Sequence, residues 1–247
     1  CEKIIIATGS HEVPIIFENN DLPGIMLASG AIKLLKLYGA IPGNDAVIIT
    51  EGNDGYSQAL ELKNCGLNVV AVLDSRTGIE SQVLEPLERA EIPVFTGVKS
   101  IKAIGSDSIR SVKFQYGDNW YYLDCDLACS SGRLQPSLQL ALQAGCSTKF
   151  DTSINTLVPS EPPKHIFLTG GLIGLIDPTD SLNHGKKVGV AAATNKTVLQ
   201  LDIIDNEITN IRFKNKCGQK DFICFCEDVT SKDLSQAIKE GFTDIQI

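Results

Sequence analysis

Three groups of residues have the types and spacing to do chemistry. The first is the turn Thr50-Glu51-Gly52-Asn53-Asp54-Gly55, with Asp74 lying 22 residues beyond Gly52. A phosphate can approach bare main chain only where side chains are missing. At a helix N-terminus, free N–H groups and the dipole then hold it. The usual spacing is G-x-G-x-x-G, with an acid about 20 residues on for the ribose hydroxyls. Here the second and third glycines stand and the first is Thr50, so Thr50, Gly52, Gly55 and Asp74 are candidate nucleotide residues. Glu51 and Asp54 oppose this, because carboxylates repel phosphate. A structural unit that binds nothing is the alternative.

The second group is Cys224-Phe225-Cys226. Thiolates are soft, charged ligands suited to iron and zinc. Cys217 would add a third, whereas zinc usually takes four ligands. Free thiols are the plainer reading. The third group is His11-Glu12, an acid–base pair by type, for which the sequence offers no pocket; a loop-fixing pair is the simpler expectation. His165 and His184 read as structural histidines. Arg133, after Ser131-Gly132, either reaches a phosphate or ribose or is a solvated loop arginine.

The elements that would position these residues can be read from periodicity. Ala46–Ile49 is a short apolar run, Tyr56–Cys65 has helical spacing, and Asn68–Leu73 is a second apolar run closed by Asp74, a βαβ unit in about 30 residues. Upstream, Lys3–Ala7 reads as a buried strand, and His11–Pro14 and Asn19–Gly24 as loops. A helix capped by Ser29 carries Ala31, Leu34, Leu35 and Tyr38 and ends at Gly39. Downstream, Ser81–Ala90 is a helix with Val83, Leu84 and Leu87 inward, and Pro93–Thr96 a strand. Lys99–Ile104, Ile109–Gln115 and Trp120–Leu123 form an antiparallel meander, and Leu127–Ser130 is buried again. Ser137–Ala144 is expected to be helical, Pro159–Pro163 a connector, Lys164–Leu168 a strand, and Leu182–Thr194 a helix whose Gly185 and Gly189 permit close approach. Thr230–Asp233 caps a last helix with Leu234, Ala237 and Ile238 on its buried face.

Composition bounds the class. The 247 residues are 43% hydrophobic and 21% charged, enough for a sizeable core. A net charge of −8 argues against nucleic acid or an anionic membrane as partner. No apolar run is long enough to span a bilayer. Eight irregularly spaced cysteines suit a reducing cytoplasm better than a disulfide framework.

Three strands end in small-residue turns: Ile4–Gly9, Leu127–Gly132 and Ile166–Gly171. Their order around the βαβ unit resembles the two-dinucleotide-binding-domain flavoprotein fold of the disulfide-reductase class. The resemblance implies an α/β chain with a partial flavin-type domain at 1–24 and 133–205, its opening strand and glycine fingerprint missing. An inserted nicotinamide-type domain with the meander is expected at 25–132. Thr8, Gly9, Gly132, Gly170 and Gly171 would then line cofactor sites. Gly170-Gly171 stands where such domains normally carry Gly-Asp beside the flavin.

More specific are Ala7-Thr8-Gly9-Ser10-His11-Glu12-Val13-Pro14 and Asn19-Asn20-Asp21-Leu22-Pro23-Gly24-Ile25-Met26-Leu27-Ala28. Both resemble the α subunit of heterotetrameric sarcosine oxidases. Cys224–Thr230, Lys232-Asp233-Leu234 and Glu240-Gly241-Phe242 fit the start of that subunit's next domain, a small, bacterioferritin-associated-ferredoxin-like segment with helix expected at 206–247. The resemblance implies oxidative demethylation of sarcosine to glycine in a hetero-oligomer whose β subunit carries the flavin that oxidises the amine. NAD and FAD are the implied cofactors, and this piece alone is expected to be inactive. It also implies that Cys224 and Cys226 are half of a [2Fe–2S] site completed by a later C-x-x-C. A subunit of an iron–sulfur amine, proline or opine dehydrogenase is the alternative within the class. A nonenzymatic scaffold is the alternative outside it.

Overall fold

A computed structural model describes residues 1–152, 154, 156–194 and 220–242, which form two compact units. The larger, residues 14–133 and 220–242, is built on a five-stranded parallel sheet. Its strands run in the order Ile25–Leu27, Leu127–Ser131, Asp45–Thr50, Asn68–Asp74 and Val94–Thr96. The near-continuous apolar runs of the middle strands are what a sheet covered on both faces requires. Alternation along the strands sorts the residues between the two layers. Ala46, Ile48, Leu127 and Cys129 pack under the helices Ala28–Tyr38, Asp54–Asn64 and Ser81–Arg89 through Ala31, Leu62 and Leu87. Val47, Ile49 and Ala128 face the antiparallel meander of Ser100–Gly105, Ile109–Tyr116 and Asn119–Asp124 through Ile101, Val112 and Phe114.

Residues 14–24 belong to this unit and not to the flavin-type part expected at 1–24. Phe17 is fully buried in the meander layer, and the Ile15 N–H donates to Ser130 Oγ at 2.7 Å. The described C-terminal residues join the same unit. The Asn20 side chain donates to the Phe222 carbonyl at 2.9 Å and accepts from the Phe222 N–H at 2.8 Å. There the strands Phe222–Cys224 and Val229–Thr230 precede a helix over Ser231–Lys239. That helix opens with the expected capping box between Thr230 and Asp233. Leu234 and Ile238 are exposed, contrary to the expected buried face.

The smaller unit comprises residues 1–13 and 134–194. Ile4–Ile6 pairs in parallel with Ile166–Leu168, and Ser10–Glu12 pairs antiparallel with Leu134–Pro136. Ser147–Asp151 and Thr156–Ser160 form an antiparallel pair. Helices cover Gln139–Gln143 and Pro178–Thr194. Its core is small, with Ile6, Ala141, Cys146, Ile166 and Leu172.

Several local expectations need correction. Ile4 and Ile5 are exposed, and only Ile6 reaches the core. The loop expected at His11–Pro14 is partly strand, because polar Ser-His-Glu gives no apolar signal in a two-stranded ladder. Ser29 does not cap the first helix. The chain passes directly from strand into helix at Leu27 and Ala28. A side chain at Gly189 would meet open space, and one at Gly185 only the Thr169 hydroxyl at 3.9 Å, so neither glycine marks a close approach.

Phe114 is fully buried, edge-on to Phe95 at 5.1 Å and stacked on Tyr121 at 5.7 Å. Phe114→Ala is expected to cost about 3–5 kcal/mol of unfolding free energy. Urea unfolding followed by the fluorescence of the single tryptophan, Trp120 in the neighbouring strand, measures it.

Candidate functional site

The parallel sheet of the larger unit ends at a corner built by Thr50 and the turn after it. The Thr50 side chain, fully buried, accepts from the Gly52 N–H at 3.1 Å and donates to the Gly52 carbonyl at 2.9 Å. The helix Asp54–Asn64 starts at once, with no side-chain cap on Asn53 and Asp54 in its first turn. The two surviving glycines have different jobs. A Cβ on Gly55 would lie 2.3 Å from Thr50 Oγ1 and 2.4 Å from Thr50 Cβ, so Gly55 lets the helix pack against the strand. Among the described residues a Cβ on Gly52 would meet nothing within 4 Å, so there is room for a ligand beside the main chain there. In the adjacent strand Ser131 is the register partner of Thr50. Its hydroxyl is buried with no hydrogen-bond partner among the described residues, and Gly132 follows it.

Asp74 departs from the expectation that it grips a ribose. Its carboxylate is fully buried and taken up by the chain itself. Tyr56 Oη donates to it at 2.7 Å, the Arg76 N–H at 2.7 Å, Arg76 Nε at 3.2 Å and Arg76 Nη2 at 2.8 Å. A carboxylate offers about four lone-pair sites, and these are filled. Burial, then the charge and hydrogen bond of Asp74, push the Tyr56 phenol well above its ordinary pKa. Burial pulls the Arg76 guanidinium down, but its bonds to Asp74 outweigh that and leave it raised. Tyr56 and Arg76 are not visible as partners in the sequence. The only signal is an arginine two places after the strand-ending acid.

In the smaller unit the turns after two paired strands lie side by side. The Thr169 N–H donates to the Ile6 carbonyl at 3.1 Å, and a Cβ on Gly171 would come within 2.9 Å of Ser10 Oγ and 3.3 Å of the Gly9 carbonyl carbon. Gly9 and Gly170, both left-handed at φ +71° and +73°, face open space. Thr8 Oγ1 donates to the Ser137 carbonyl at 3.0 Å. Thr8, Gly9, Gly170 and Gly171 therefore share one corner. His184 Nδ1 lies 2.9 Å from Thr169 Oγ1 and is buried, which lowers its pKa, with Lys187 adding to the effect; it supports this turn from behind. His11 is exposed, 3.5 Å from Ser137 Oγ, in keeping with a loop-fixing role.

The Cys224 and Cys226 sulfurs lie 2.9 Å apart on a tight turn. The hydrogen bond from Cys226, then the Glu227 and Cys226 N–H groups, lower the Cys224 pKa, while Cys226 is raised by the same contact. Two convergent thiols fit half of an iron–sulfur ligand set. Among the described residues no group of three or more metal-ligating side chains completes it, and Cys217 lies outside the described residues.

Residues 218–247 match the sarcosine oxidase A3 domain. The chain is 34% identical over 201 residues to the sarcosine oxidase α subunit of Corynebacterium sp. strain P-1, covering 78% of this chain and 20% of that protein. It is 26% identical to the α subunit of Rhizobium meliloti strain 1021, covering 99% of this chain and 25% of that one. The chain is sarcosine oxidase α-like. It spans about a fifth to a quarter of the length of these curated relatives. The thioredoxin reductase of T. acidophilum superposes with a TM-score of 0.63 at 14% identity, over 78% of this chain and 65% of that one. That likeness establishes the fold, the two-dinucleotide-binding flavoprotein architecture expected from the strand–turn order.

In this α-like chain the buried Asp74–Tyr56 pair sets an alkaline limit. A phenol whose folded pKa is raised contributes stability that is complete below about pH 10 and is lost as pH climbs through its folded value. Spectrophotometric titration is expected to show Tyr56 resisting ionisation far above the ordinary phenol range, then ionising with unfolding. Tyr56→Phe should remove that late step.

Proposed function

We propose that this chain is the dinucleotide-handling portion of an α subunit in a sarcosine-oxidase-like flavoenzyme. The whole assembly oxidises the C–N bond of a small secondary amine, sarcosine being the substrate its relatives' names point to. The observation that carries the role is the Gly52 main chain, open at the C-terminal end of a parallel sheet where a helix begins. Gly52 and the unpartnered Ser131 hydroxyl would receive the phosphates of NAD, with Thr50 bracing the turn, Gly55 seating the helix and Gly132 leaving room beside it. Asp74 takes no part in gripping the ribose, because its oxygens are occupied by Tyr56 and Arg76.

Thr8, Gly9, Gly170 and Gly171 would line half of an FAD pocket, with open space above Gly9 and Gly170 as its supporting feature. Bound flavin would supply hydride acceptance. The chain's own residues Thr8, Gly9, Gly170 and Gly171 would orient it. Cys224 and Cys226 would supply two of four thiolates to a [2Fe–2S] cluster. A flavin-bearing β subunit is the expected partner, in the cytoplasm.

One set of observations favours a scaffold instead. Thr50 Oγ1 already occupies the Gly52 N–H, Asp74 is sealed, and Glu51 and Asp54 bring negative charge to the turn. Calorimetric titration of NAD, NADH and FAD into the chain decides between the two. Binding of a nicotinamide dinucleotide that Gly52→Val weakens at least about tenfold, worth about 1.4 kcal/mol, supports the site. Because a Cβ at Gly52 touches nothing, the melting temperature of that variant should stay close to wild type. No heat and no thermal shift with any of the three would leave the scaffold.

A further inference from the structure

The end of the second strand of the βαβ unit is occupied by its own chain before any ligand arrives. Asp74, the register partner of Thr50, stands where a dinucleotide fold normally offers a free acid to the adenosine ribose. Its carboxylate has no exposed surface and is closed by Tyr56 and Arg76. Arg76 differs, because its side chain keeps 16% of its surface while bonded to Asp74. It donates to Asp74 through Nε and Nη2, which leaves Nη1 with no hydrogen bond to a described residue. The main chain of Arg76 is fastened on both sides. Its N–H donates to Asp74 Oδ1 at 2.7 Å, and the Gly97 N–H donates to its carbonyl at 2.7 Å. A guanidinium held in this way loses little further freedom when an anion reaches its outer edge. The loop after Asp74 adds no competing acid, running Ser75-Arg76-Thr77-Gly78-Ile79 before Glu80.

We propose that Arg76, and not Asp74, meets the adenosine ribose at this corner and accepts a 2′-phosphate there. A 2′-phosphorylated nicotinamide dinucleotide then binds at least as tightly as its unphosphorylated form. This rests on the dinucleotide reading above and narrows which members of that ligand class the corner takes. A free carboxylate in this place favours the 2′-hydroxyl by accepting its hydrogen, and rejects a 2′-phosphate by charge. Asp74 does neither. Its lone pairs are already filled, and its charge is matched by a guanidinium at hydrogen-bond distance. The plain ribose therefore gains nothing from Asp74, whereas a phosphate gains charge-assisted hydrogen bonds from the free edge of Arg76. Glu51 and Asp54, in the turn after Thr50, weigh mainly on the pyrophosphate. Both forms carry that group, so this cost largely cancels between them.

NADH and NADPH are titrated calorimetrically into the full chain in the same low-salt buffer. The dissociation constant for NADPH is expected to be no larger than that for NADH. The ratio should move in favour of NADH as salt rises, because an ion pair at a partly exposed group is screened. Arg76→Gln should weaken NADPH relative to NADH at least about tenfold. Arg76→Lys, which keeps the charge and loses the planar fork, should restore part of that difference. Tighter binding of NADH than of NADPH would overturn the proposal and leave the dinucleotide reading standing, as would an unchanged ratio in Arg76→Gln. No binding of either nucleotide would remove both. Arg76 also neutralises the buried Asp74, so a variant that fails to fold leaves the wild-type chain to decide. There adenosine 2′,5′-bisphosphate should displace NADH at lower concentration than adenosine 5′-monophosphate does, and the reverse order would refute the role of Arg76.

Discussion

The larger unit depends on one buried carboxylate. Asp74 ends a sheet strand with no exposed surface, and the loss of its hydration has to be offset inside the protein. Tyr56, in the first turns of the helix after Thr50, and Arg76, just past Asp74 itself, do so with hydrogen bonds and opposite charge. The result fastens a helix to the neighbouring strand at the end of the sheet where a ligand would sit. Gly55 pressed against Thr50 fixes the same junction from the other side. The turn between them therefore has little freedom, and its geometry is set before anything binds.

That constraint separates two duties which a glycine fingerprint runs together. Gly55 serves packing, since any side chain there collides with Thr50. Gly52 serves no packing contact at all. What gives Gly52 the functional reading is its place, beside the end of a parallel strand where a helix begins, together with the room around it. The smaller unit divides its corner in the same manner. Gly171 lets two turns touch, whereas Gly9 and Gly170 leave open main chain.

What is legible in the sequence follows from periodicity. The strands around Val47, Val72 and Ala128 can be read because a sheet covered on both faces writes long apolar runs. The meander can be read because Gly117-Asp118 and Ser106-Asp107 punctuate alternation. The Ser10–Glu12 and Ser147–Asp151 strands cannot. They are short, polar or exposed ladders, whose pairing is decided by main-chain bonds that leave no trace in side-chain pattern. Asp74 is found by spacing and misread in role. Spacing locates a carboxylate but says nothing about whether a tyrosine and an arginine have already claimed it.

The Asn19–Gly24 stretch shows how a run read as a mark of kinship acquires a physical meaning. Asn19 sits at φ +61°, a conformation asparagine tolerates better than most residues. From there its side chain donates to the Ala103 carbonyl at 2.9 Å and its N–H to the Lys220 carbonyl at 2.6 Å. Asn20, almost wholly buried, spends both ends of its amide on Phe222. Gly24, at φ +94°, passes so close to the Asp126 carbonyl oxygen that a Cβ would stand 2.7 Å away. One short turn thus joins the meander, the bend leading into the Leu127–Ser131 strand and the hairpin bearing Cys224 and Cys226. A hydrophobic substitute at Asn20 would leave the Phe222 N–H and carbonyl unpaired. Asn19, Asn20 and Gly24 each meet different neighbours, so the stretch is accounted for as a junction, whatever the two cysteines do.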